Sequence, residues 1–148
     1  MRYSTLAIAL ALSISAWAHD EGHGPKLTDA AKQGGVVSPV VEAKDASKGV
    51  KASLVHKSEL VRAEDGTIRV YFYDQNMNPL DMSKFEKMGK GIVEFKKNRK
   101  WNKVSFSLKQ EEGAFVGKAP QAPSKPFNID VHVKEGGKEL LAAFDNLD

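Results

Sequence analysis

From Val36 onward the apolar residues recur at every second position. Ile68, Val70 and Phe72 alternate with Thr67, Arg69, Tyr71 and Tyr73, and Val104, Phe106 and Leu108 with Lys103, Ser105, Ser107 and Lys109. Phe127, Ile129, Val131 and Val133 alternate with Asn128, Asp130, His132 and Lys134. A period of two is that of a strand with one buried face. Shorter strands are expected at Val93 and Phe95, at Phe115 and Val116, and at Leu140, Ala142 and Phe144. Val36 to Val41 and Ala52 to Val61 read as extended but less regular, which gives about seven to nine strands.

Turn-forming residues punctuate these runs: Glu64-Asp65-Gly66, Asn78-Pro79, Glu111-Glu112-Gly113, the stretch Pro120 to Pro126, and Gly136-Gly137. Each one-sided strand must cover its apolar face with another sheet. The pattern therefore predicts that residues 36–148 form an all-β, antiparallel two-sheet β-sandwich of immunoglobulin-like type. One short helical insertion is expected from Asp81 to Met88, where Met82, Phe85 and Met88 would share a face and Gly89 would end the helix.

The first residues follow a different rule. Arg2 precedes an uncharged run from Leu6 to Ile14, followed by Ala16-Trp17-Ala18 and then His19-Asp20. That is the layout of a secretory signal peptide over residues 1–18, cleaved after Ala18, which places the mature protein in the periplasm. The run is too short to span a bilayer, and no second stretch is apolar enough, so the protein is expected not to be membrane-embedded. The chain has no cysteine, which removes lipid anchoring through a thiol, disulfides and cysteine nucleophiles together. Residues 19–35 are rich in small, polar and histidine side chains and are expected to form a flexible, disordered tail.

The formal charge of +3 includes Arg2, and lysines and acids are interspersed, which argues against a nucleic-acid surface. The dense basic run, Lys96-Lys97-Asn98-Arg99-Lys100, reads as a solvated hairpin tip. No nucleophile elbow or phosphate-cradling glycine loop is present, and the expectation is a protein that is not an enzyme.

The remaining chemistry is metal ligation. The four histidines are His19, His23, His56 and His132, and imidazole suits copper and zinc. After cleavage, His19 would offer an α-amino nitrogen and a ring nitrogen together, a ready chelate for copper(II), with His23 four residues on. His132 alternates outward with Asp130 and Lys134, as a plain surface histidine also would. His56 shares parity with Leu60, as a hydrogen-bonded core residue would. Met77, Met82 and Met88 offer thioethers for copper(I) or packing for a core edge.

Several of these residues resemble a known group. The histidine-rich mature start, Gly34-Gly35-Val36, Glu59-Leu60-Val61, the stretch from Thr67 to Asp74 with Pro79-Leu80 after it, and a closing strand ending in Phe144 are similar to a set of small bacterial periplasmic proteins. That resemblance implies an all-β fold and an association with heavy-metal efflux components. His19 at the mature start also resembles the CopC-type copper-resistance proteins, although their other ligand motifs have no match here.

The expected function is that of a periplasmic accessory protein that binds or buffers copper or zinc for an export or resistance system. The alternative is an interaction module that docks on a membrane-protein partner, with its histidines incidental.

Overall fold

The computed structural model describes residues 23–148. The predicted signal peptide and the start of the tail, His19 included, lie outside the described residues. Eight antiparallel strands run β1 (Val36–Glu42), β2 (His56–Arg62), β3 (Thr67–Tyr73), β4 (Met88–Lys97), β5 (Lys100–Glu111), β6 (Ala114–Lys118), β7 (Phe127–Glu135) and β8 (Lys138–Leu147).

They form one closed barrel in the order β1-β2-β3-β6-β5-β4-β7-β8. The expected two-sheet, immunoglobulin-like sandwich is therefore wrong. Alternation shows only that each strand has one buried face; it does not say whether that face is covered by a second sheet or by the far wall of the same sheet. Closure is made by β1 against β8, where Val40 pairs with Ala142 and Glu42 with Leu140.

Turn chemistry explains the hairpins. Asn98 and Arg99 both adopt positive φ (52° and 64°) between β4 and β5, as do Glu112 and Gly113 between β5 and β6 and Gly136 and Gly137 between β7 and β8. Two successive positive φ values match the right-handed twist of the flanking strands. The two longer links, residues 74–87 and 119–126, each pass over two strands and lie across opposite ends of the barrel. The predicted helix from Asp81 to Met88 shrinks to one 3₁₀ turn, Met82–Lys84, capped by the Asp81 side chain. Phe85 follows it in extended conformation and plugs the barrel end against Phe72 and Phe115. Gln110 fastens this link by donating its side-chain amide to the carbonyls of Met82, Phe85 and Glu86.

The interior is apolar and packed, with Leu60, Val70, Phe72, Leu108, Phe115, Ile129 and Phe144 among its fully buried residues. Polar side chains such as Arg69, Ser105, Lys109 and Lys134 occupy the outward positions. The wall is thus the reverse of a lipid-facing barrel, whose apolar side is outside. Among the described residues no helix is long and apolar enough to cross a membrane.

Two segments cover parts of the outer wall. The 3₁₀ segment Ala43–Lys51 lies against the outside of β1 and β8, where Ala43, Ala46 and Ala52 meet Val41 and Leu141. Residues 23–35 form a strap, not the disordered tail expected from composition. The amides of Lys32, Gln33 and Gly35 all donate to the Glu59 carboxylate at 2.7–2.9 Å. Lys57 pairs with Asp29 at 2.8 Å, and Gly24 donates to the Gly49 carbonyl. A polar anchor on β2 holds this segment where apolar burial alone would not.

Candidate functional site

The strap and the Ala43–Lys51 segment leave a groove on the outer wall beside β4, β7 and β8. Its volume is about 830 Å³, and its lining includes His23, Ala46, Ile92, Glu94, Asp130, His132, Leu141 and Asp145. Strand geometry makes this grouping. Asp130 and His132 are two apart on β7 and so share its outer face. Register then places Ile92 opposite Asp130, Glu94 opposite Asn128 and Leu141 opposite His132.

His23 and His132, two of the four candidate histidines, border this one groove. The Nδ1 of His23 donates to the Ala46 carbonyl at 2.8 Å, and the Nδ1 of His132 donates to the Glu139 carboxylate at 3.0 Å. In its neutral form each ring then keeps its proton on Nδ1 and its lone pair on Nε2. An imidazole held in this way by a carbonyl or carboxylate is oriented as metal-ligating histidines usually are.

The carboxylates of the groove carry an excess of negative charge. Glu94 is 3% exposed and is met by Lys103 at 2.5 Å. Asp130 is half-buried, with Glu94 and Asp145 acting on it as like charges. Burial, followed by the Glu94 charge, pushes its carboxyl up to about 6, with His132 and His23 opposing the shift. A cation bound beside Asp130 would offset that same repulsion. Among the described residues, no three histidine or carboxylate side chains already stand together as a metal cluster. The donors are copper- and zinc-compatible nitrogen and oxygen atoms, and taking up an ion requires them to converge by rotamer changes.

The other candidates fall elsewhere. His56 begins β2 and is half-buried; its Nε2 bonds the Glu135 carboxylate at 2.6 Å, and its ring stands 6.1 Å from that of Phe85. It closes a barrel end and is not among the residues that line the groove. Met77 is buried, and Met82 packs against the core. Met88 is 54% exposed at the start of β4 and borders a smaller hollow next to His132 and Glu139. The three methionines therefore do not share a face.

Glu94, Asp130 and Asp145 were not singled out from the sequence. Alternation alone could have found Asp130, since it precedes His132 by two residues on a strand. Glu94 and Asp145 required the register.

No protein-family model matches the chain, and no curated protein or solved structure matches it.

Proposed function

We infer that the protein is a non-enzymatic periplasmic accessory protein that binds or buffers a transition metal, copper or zinc, for an export or resistance system. The observation that carries this reading is that His23 and His132 line one groove beside the desolvated Asp130, each with Nδ1 engaged and Nε2 left as the donor. Two imidazoles and a carboxylate suit either ion. A site that must draw its ligands together binds less tightly than a rigid cage, and a buffer that hands its ion on needs that property. The resemblance to periplasmic proteins that accompany heavy-metal efflux components supports the same reading.

The test is a titration of the chain beginning at His19 with zinc and with copper(II), followed by calorimetry and thermal unfolding. Metal that prefers the folded chain raises its melting temperature. His23→Ala and His132→Ala should each weaken binding at least about tenfold, while His56→Ala should leave it unchanged. The proposal fails if neither metal shifts the melting temperature, or if all three variants bind like the parent.

A further inference from the structure

The tip of the β4–β5 hairpin concentrates positive charge. Lys96, Lys97, Arg99 and Lys100 follow one another with only Asn98 between them, and all are exposed. The fold adds a fifth cation. Phe127 pairs with Phe95, and the Ser124 hydroxyl donates to the Lys96 carbonyl, which brings the exposed Lys125 of the 119–126 link to the same end of the barrel. Among the described residues no carboxylate pairs with any of these five side chains, whereas Lys103 on β5 is matched by Glu94 and Lys118 on β6 by Asp65.

A second observation concerns how two of them are set. Lys97 stands directly opposite Lys100 in the strand register, so their side chains project side by side from one face. Like charges placed in this way destabilise a hairpin. Asn98 and Arg99, both at positive φ, turn the chain tightly between them, and Lys96 is held over the Trp101 ring at 5.3 Å. The tip thus keeps a repulsive arrangement that an anionic surface would relieve.

We propose that this tip docks the protein on an anionic phospholipid surface. No residue of the tip lines the groove or the smaller hollow, so the five cations do not enclose a small anion in either. The tip backbone is occupied, because the Lys96 and Lys100 carbonyls accept from Ser124 and Asn102. What it presents is side-chain charge. An acidic peptide would need a strand edge to pair with, and a single-stranded nucleic acid a groove that follows its backbone. Headgroups, by contrast, move laterally and can gather beneath cations on a projecting turn. Each cation close to such a surface adds roughly a fivefold factor to binding. The contact is peripheral, and the polar outer wall of the barrel stays in water.

The test is co-sedimentation of the chain beginning at His19, which omits the apolar N-terminal run, with phosphatidylcholine vesicles that contain or lack phosphatidylglycerol. Binding should require phosphatidylglycerol and be lost in about 1 M salt, where charges act over only about 3 Å. Lys97→Glu sets an opposite charge against Lys100 in place of a like one. It should therefore raise the melting temperature and yet weaken vesicle binding at least about fivefold. Lys125→Glu lies outside the hairpin and should weaken binding without touching that pair, so it serves if the first variant misfolds. The proposal is overturned if the two kinds of vesicle bind alike, if salt has no effect, or if both variants bind as the parent does. It is also overturned if a polyglutamate peptide or DNA binds and the vesicles do not.

Discussion

The ring of Phe106 on β5 lies directly over Gly91, its cross-strand partner on β4. A Cβ at position 91 would come under 3.0 Å from ring atoms Cζ, Cε1 and Cε2, so this close approach is possible only for glycine. Gly91→Ala is expected to destabilise the chain by about 1–3 kcal/mol through overpacking. In a Phe106→Leu background the same change should cost less, and urea unfolding of the four proteins in that cycle measures the coupling.

Removing the anchor of the strap should be expensive. Glu59 is fully buried on the outer side of β2 and accepts from three backbone amides and the Tyr73 hydroxyl. Glu59→Gln keeps the shape but sets an amide donor against those donors, and we expect a loss of about 2–3 kcal/mol. Proteolysis within residues 23–35 should become faster in the variant, while the barrel core keeps its exchange protection.

The same carboxylate gives a pH dependence with a definite sign. Burial raises its proton affinity, but the amides of Gly35, Lys32 and Gln33 and the Tyr73 hydroxyl outweigh it and hold Glu59 below its ordinary value. A folded-state value below the unfolded one, about 4.3, means stability that is fully present above that pH and is lost as pH falls through the folded value. Unfolding free energy measured from pH 6 down to pH 3 should fall less steeply for Glu59→Gln than for the parent.

Asp130 should show a trade between stability and binding. Its carboxylate is desolvated and faces Glu94 and Asp145, so Asp130→Asn should stabilise the metal-free chain at pH 7.5 by about 1–2 kcal/mol. The same change should weaken zinc binding. A variant that is neither more stable nor weaker in binding would contradict the charge balance described for the groove.

Two apolar residues with the same strand parity should behave differently. Phe72→Ala should cost about 3–5 kcal/mol because the ring is buried against Phe85 and Phe115. Val104→Ala should cost less than about 1 kcal/mol, since 41% of the residue is already exposed.

Strand positions were legible because alternation and positive-φ turns are local properties. The runs around Val70, Leu108 and Val131 give β3, β5 and β7, and the basic run from Lys96 to Lys100 forms the β4–β5 hairpin tip. Closure was not legible, since it depends on β1 meeting β8, about a hundred residues apart in the chain. Tyr73 shows why the outer wall misled. It sits on the polar side of its strand, yet it is 2% exposed because the strap covers it, and burial followed by the Glu59 charge pushes its hydroxyl up to about 12. Composition in residues 23–35 gave no hint of that cover. Half of the groove was visible as His23 and His132. Its carboxylates come together only through the β4–β7 and β7–β8 registers.

The seam between the first and last strands also sets an order in time. β1 has β8 as one of its two neighbours, so the tube cannot close until Lys138–Leu147 has found it. Such distant pairings are slow to form because the loop between them must be ordered first. Until then β1 is an open edge, and the unfinished sheet can be captured by another strand. Only when β8 docks does that exposure end.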